Sequence, residues 1–168
     1  MEDRSLQRLA DEIDARLSPH EHSTAVARWA GMLADHLRLG PDVRARCELA
    51  GRLHDIGKVV VPDAILLKPG PLTDQEWEVM RQHPAQGVRL VALSPRLGRV
   101  ATIVRQHHER HDGTGYPDRR AGQDITIEAR ILAVCDTWAA MLADRCYRLA
   151  LSREASTRGA GRCARQPV

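Results

Sequence analysis

The chain has 168 residues, 43% of them hydrophobic and 28% charged, with a net charge of +3; that length suits one domain with a full core, not two. Aromatic residues make up only 3% and phenylalanine is absent, which argues against a base-stacking platform and against a nucleic acid polymer as partner. The mild basicity suits a small anionic ligand.

In chain order, Leu6, Leu9, Ala10, Ile13 and Leu17 recur at helical spacing and predict a leading helix over 1–17, which Ser18-Pro19 interrupts. No signal-type apolar segment opens the chain, and no later run approaches the ~18 uninterrupted apolar residues of a spanning helix. No membrane role is therefore expected, and a cytoplasmic location is. Cys47, Cys135, Cys146 and Cys163 form no CxxC pair, so reduced and mostly buried thiols are expected in place of a zinc knuckle or disulfides.

A second helix is predicted from about Ser23 to Leu37, with His22 at its start and Val26, Trp29, Ala30, Leu33 and Leu37 on its inner face. After Gly40-Pro41, Asp42 is the expected cap of a third helix that buries Val43, Cys47, Ala50, Leu53 and His54. Gly57 is expected to end it, and Val59 to Pro62 to run on as an extended link.

Lys68-Pro69-Gly70-Pro71 predicts a rigid turn, and Thr73 with Glu76 three residues later has the capping-box form. The helix begun there should reach His83, where Pro84 breaks or restarts it, and Gly87 to Leu93 continues helically. Pro95 opens another helix, with Leu97, Val100, Ile103, Val104 and His107 on one face. Between Glu109 and Thr126 periodicity stops, and Asp112-Gly113, Gly115, Pro117 and Gly122 predict an ordered loop whose length points to function. A last helix is predicted over Ile127 to Asp144; residues 151–168, poor in large apolar side chains, are expected to be a disordered tail. The expected fold is all-α, a single helical bundle with one long ordered loop.

His54 and Asp55 set an imidazole beside a carboxylate at the end of an apolar helix. Neighbouring helix residues point about 100° apart, so the two do not readily share one ion, but a carboxylate has two oxygens and can bridge two. A lone histidine there is more commonly a hydrogen-bonded core residue; the weight comes from number. His22, His54, Asp55, His83, His107, His108 and Asp136 are seven N/O donors, most near predicted helix ends, that a bundle can gather at one centre. Imidazole and carboxylate without thiolate suit iron, manganese or another borderline divalent ion, and seven donors exceed what one ion usually takes. Two divalent ions joined by a carboxylate would use them fully.

HDIGK at 54–58, HHERHDGTGYP at 107–117 and DTWAAMLADRCYR at 136–148 resemble the HD-GYP domain family, a branch of a wide superfamily of metal-dependent phosphohydrolases. The likeness covers about Ser18 to Ala150 and implies an HD-type bundle over 18–150 that lacks the family's further C-terminal helix. It implies that the seven donors are metal ligands with Asp55 bridging, and that Lys58 lies beside the scissile phosphate. It also implies that Gly115, Tyr116, Arg145 and Arg148 hold the substrate. The implied activity is hydrolysis of cyclic di-GMP to the linear dinucleotide pGpG or onward to GMP. Two cations would acidify a shared water, Lys58 would stabilise or protonate the departing ribose oxygen, and guanidinium forks suit the phosphates. No sensor or receiver segment is recognisable, so a separate sensor or receiver protein is the expected source of input; the oligomeric state is left open.

Three positions depart from the pattern. Ser18 stands where members holding a third metal have Glu, which predicts two metals. Ala139 replaces the second Asp of a DxxD motif and Cys146 the Pro of DRPYR; losing an outer partner commonly weakens metal affinity or activity roughly 10- to 100-fold. A second reading therefore stays open, a module that binds cyclic di-GMP or a signalling partner with weak or no turnover. Tyr116 either contacts the ligand or braces the loop, and Arg145 and Arg148 either bind phosphate or cap the last helix. His20 and His36 are expected at the surface.

Overall fold

Helical apolar spacing dictates the architecture of the computed structural model, in which residues 2–17 and 22–142 are described. Helix α1 (Glu2–Leu17) buries Leu6, Ala10 and Ile13. Helices α2 (His22–His36) and α3 (Pro41–Leu53) form the most extensive pair. Their backbones approach closely because α2 turns Ala27, Ala30 and Ala34 inward and α3 answers with Cys47 and Ala50, all buried. Helix α8 (Ile127–Leu142) lies against α2 and α3, while α7 (Gly98–Gln106) packs between α3 and α6 (His83–Val91). Leu53, Ile103 and Leu132 are almost fully removed from solvent in the shared core, each contributing about 1.5–3 kcal/mol by burial. None of these helices is long and apolar enough to cross a membrane.

Several local expectations change. Helix α2 stops at His36 and leaves Leu37 47% exposed, so Leu37 is not on the inner face. Gly40, at φ 88°, and not Asp42, is the capping residue of α3; Pro41 follows at the first helical position, where its missing N–H costs nothing. Asp42 instead sits in the first turn, complementing the helix dipole. Gly57 does not end α3, which closes at Leu53; residues Ile56–Val60 turn as a 3₁₀ helix and Asp63–Leu66 as the one-turn α4. Of the expected extended link, Val59 and Val60 are thus wound up, whereas Val61 and Pro62 are extended. A β-branched run favours a strand only when an edge is there to pair with, and no strand exists among the described residues.

The capping box of α5 (Asp74–Met80) forms as expected: the Glu76 amide donates to Thr73 Oγ1 at 3.3 Å and the Thr73 amide to Glu76 Oε2 at 2.7 Å. Helix α5 ends three residues short of His83, and Pro84 lies in the first turn of α6, so the proline restarts a helix. Pro95 opens a 3₁₀ turn, Pro95–Leu97, from which α7 continues. Cys47 and Cys135 are buried free thiols, as expected. Ser18, His20, Arg145, Cys146, Arg148, Cys163 and the tail lie outside the described residues.

Candidate metal centre

The seven donors come from five helices or the residues just after them and meet in one centre. His22 opens α2, His54 and Asp55 follow α3, His83 opens α6, His107 and His108 follow α7, and Asp136 sits within α8. Three of the histidines share one device. Nδ1 of His54, His83 and His107 lies 2.8, 2.9 and 2.6 Å from the carbonyl oxygen three residues earlier, of Gly51, Met80 and Val104. A carbonyl only accepts, so Nδ1 carries the proton and Nε2 keeps its lone pair.

Those lone pairs converge. His83 Nε2 is 3.3 Å from both His107 Nε2 and Asp55 Oδ1. His54 Nε2 is 3.4 Å from Asp55 Oδ2 and 3.8 Å from Asp136 Oδ1, which is 3.1 Å from His22 Nε2. The donors sort into two groups: Asp55, His83, His107 and His108 within 4.8 Å of one another, and His22, His54 and Asp136 likewise. Asp55 touches both, with one oxygen toward each.

This set fits divalent cations on its own chemistry. His54 Nε2 and Asp55 Oδ1 are buried with no hydrogen-bond partner, which costs about 1–3 kcal/mol for each group in the absence of a ligand. Two imidazole lone pairs 3.3 Å apart call for a cation between them. Ionisation is preset as well. Burial disfavours charge on Asp55, yet Lys58, His54 and His83 hold its carboxyl well below the usual carboxylate range. Asp136 is likewise held low against its burial by His22, His54 and His108. Burial, reinforced by neighbouring imidazoles, lowers His107 far below its ordinary value and His108 to about 3. Anionic carboxylates and neutral imidazoles are the states a metal requires. His22 runs the other way: burial lowers it, but Asp136 and Asp55 raise it on balance.

Lys58 Nζ donates to Asp55 Oδ2 at 2.6 Å. That contact depends on Gly57, where a Cβ would overlap the His83 carbonyl oxygen and lie 2.5 Å from the Gly87 nitrogen. Only glycine lets the turn carrying Asp55 and Lys58 dock on the first turn of α6.

The loop after α7 walls the centre, and it is ordered as expected. The Tyr116 ring stacks on His108, 4.8 Å between centroids at 29°, before a cis Tyr116–Pro117 peptide. Gly115 is buried beneath it; a Cβ would lie 2.5 Å from the His108 carbonyl oxygen, which accepts from the Tyr116 amide at 3.2 Å. Buried Glu109 accepts from the amides of Asp118 and Arg120 at 2.6 and 3.0 Å, and buried Gln106 from that of Thr126 at 2.9 Å. A cleft of about 1560 Å³ opens over the centre, lined among others by His108, Asp136, Tyr116, Trp77, Arg81 and Trp138. His36 is exposed and also lines it. Sequence reasoning missed Trp77, Arg81, Gln106 and Glu109. Only the position of Glu109 beside the His-His pair was a signal.

A helical bundle with its histidines and aspartates at the helix ends defines an HD domain, and the HD domain family profile matches residues 4–158; the chain belongs to that family. The "Cyclic di-GMP phosphodiesterase response regulator RpfG" of Xanthomonas campestris pv. campestris is 45% identical over 129 residues, 76% of this chain and 34% of that protein. The "3'3'-cGAMP-specific phosphodiesterase 2" of Vibrio cholerae is 41% identical over 143 residues, 83% of this chain and 27% of that protein. With its own HDIGK and GYP motifs and its likeness to these phosphodiesterases, the chain is a member of the HD-GYP branch. Bd1817, a solved HDG"Y"P protein from Bdellovibrio bacteriovorus, shares the fold, with a TM-score of 0.68 at 19% identity over 82% of this chain and 44% of that one. The chain thus spans about a third of the length of the curated relatives it matches.

Proposed function

We propose that this domain hydrolyses a phosphodiester bond of cyclic di-GMP, giving pGpG or, in a second turn, GMP. The observation that carries the reading is the pair of donor groups joined through Asp55, with Lys58 bonded to that carboxylate, next to a cleft of about 1560 Å³ that His107, His108 and Asp136 help to line. His22, His54 and Asp136 would hold one divalent ion and His83, His107 and His108 another, with Asp55 shared; iron and manganese suit the donors. When bound, such a pair acidifies water and neutralises charge at phosphorus.

The chain's own residues do the rest. The backbone carbonyls of Gly51, Met80 and Val104 bind Nδ1 of three imidazoles, which leaves Nε2 of each as the atom turned toward a ligand. Lys58, bonded to Asp55, would offset or protonate the oxygen that leaves phosphorus once its ammonium turned from that carboxylate. Tyr116, stacked on His108 and half-buried, orients the substrate against the centre while keeping its hydroxyl protonated, because burial and the nearby carboxylates raise it. Arg145 and Arg148 remain proposed phosphate partners. Input is proposed to come from a separate sensor or receiver protein, in the cytoplasm.

Ala139 favours the second reading, a binder with weak turnover: it is buried one helical turn after Asp136 and offers that ligand no polar support. One assay separates the two. Protein purified without oxygen and loaded with iron or manganese should convert cyclic di-GMP, with two metals per chain. Asp55→Ala should lose more than the roughly 10- to 100-fold that removal of an outer partner costs. Folded, metal-replete protein that binds the nucleotide without turnover would establish the binder.

A further inference from the structure

The C-terminal half of α5 and the two residues after it face the cleft with a set of side chains that the metal chemistry does not use. Trp77, Glu78, Arg81 and Gln82 all line it. The Arg81 guanidinium carbon lies 5.7 Å from the Trp77 ring centroid and 5.9 Å from that of Tyr116. The two rings hold it by cation–π contact and limit its freedom. No carboxylate among the described residues pairs with it, whereas Arg16, Arg44, Arg46, Arg105, Arg110 and Arg120 each face one. Arg81 is exposed, and so is Glu78 three residues before it on the same helix face.

A planar fork presented beside an aromatic face, with an acceptor next to it, matches one purine. Guanine offers two acceptors, O6 and N7, that a guanidinium meets bidentately. Its N1–H and N2–H₂ donors suit a carboxylate. Adenine places an amino donor where guanine has O6, and would meet the guanidinium donor to donor. The relatives leave this choice open, since one is named for cyclic di-GMP and another for 3'3'-cGAMP.

We propose that Trp77, Glu78 and Arg81 form a guanine-recognition subsite at the rim of the cleft, in which Arg81 sets purine specificity, Glu78 accepts from the Watson–Crick edge and Trp77 offers the stacking face. The inference rests on the cyclic di-nucleotide reading and names which base that site selects. A lysine cannot replace the arginine, because an ammonium is a point charge without the fork. This separates base recognition from attraction to phosphate.

The test compares the 168-residue chain with its Arg81→Ala and Arg81→Lys variants, using cyclic di-GMP and cyclic di-AMP as probes, by turnover of metal-loaded protein and by calorimetric binding. Both variants should weaken cyclic di-GMP by roughly 10-fold or more in KM and Kd, on the scale of one bidentate base contact. Little change is expected in kcat or in cyclic di-AMP affinity. Equal losses for both nucleotides would mean that Arg81 only props Tyr116, and rescue by lysine would mean a phosphate contact; either overturns the proposal. Wild-type turnover that Arg81→Ala leaves unchanged overturns it while sparing the phosphodiesterase reading. Guanine-selective binding that depends on Arg81, without turnover, upholds the subsite and sinks the enzyme. Wild type that neither binds nor converts cyclic di-GMP overturns both.

Discussion

The floor of the cleft and its wall are built by different means. In the buried centre that serves as the floor, His54, His83 and His107 are each aimed by the backbone carbonyl three residues earlier, so backbone geometry sets the donor directions. In the wall, residues 109–126 have almost no regular structure, and their course is fixed by side chains reaching backbone amides: Glu109 to Asp118 and Arg120, Gln106 to Thr126, Asp112 to Thr114. The floor cannot shift without moving helices, whereas the wall can loosen one bond at a time. The candidate metal ligands thus sit on rigid elements and Tyr116 on an adjustable one.

The sharpest break of that contrast is Gly57→Ala. The added methyl would collide with backbone of α6, which cannot rotate away as a side chain can. Overpacking of this kind costs about 3 kcal/mol, or a fall of roughly 6–12 °C in Tm for a chain of this size. Metal content should drop as well, because Asp55 and His83 are pushed apart. A melt within about 2 °C of wild type, with full metal occupancy, would show that the floor yields more easily than its helices imply.

How much of this was legible in the sequence follows the same division. The donors could be read because histidine and aspartate at helix ends are scarce enough to count, and the bundle because apolar residues such as Leu6, Ala10, Val26 and Leu132 recur with the helical period. The stretch from Gly57 to Val60 was misread since Val59 and Val60 favour extended backbone locally, while the close approach of Gly57 to His83 is set by tertiary packing no local pattern records. Arg81 and Glu109 were missed for a similar reason. Charged residues in a helix or a loop look solvated until the fold sets one between two rings and buries the other.

Glu109→Ala should act on the wall alone. It leaves the Asp118 and Arg120 amides without their acceptor, at a cost of about 2 kcal/mol. Hydrogen exchange at these two amides should accelerate and the KM for cyclic di-GMP should rise, with two metals still bound. Loss of metal in this variant would mean that floor and wall are one cooperative unit.

The smallest effect is expected from Asp118→Asn, and its pH dependence carries the information. Arg105 donates to both Asp118 oxygens at 2.7 Å, and this bond, aided by the charges of Arg105 and Arg120, lowers the Asp118 pKa. A carboxylate with a depressed folded-state pKa stabilises above its unfolded value of about 3.9, and the contribution is lost as pH falls through the folded value. Both side chains are partly solvated, at 38% and 27% exposed, so screening holds the contribution below about 1 kcal/mol. Chemical denaturation should therefore show wild type slightly more stable than Asp118→Asn at pH 7 and the two converging below about pH 4. A difference that persists into acid would mean that Asp118 acts through its shape and its neutral hydrogen bonds, and that the wall is as indifferent to charge as the carbonyl-aimed imidazoles of the floor.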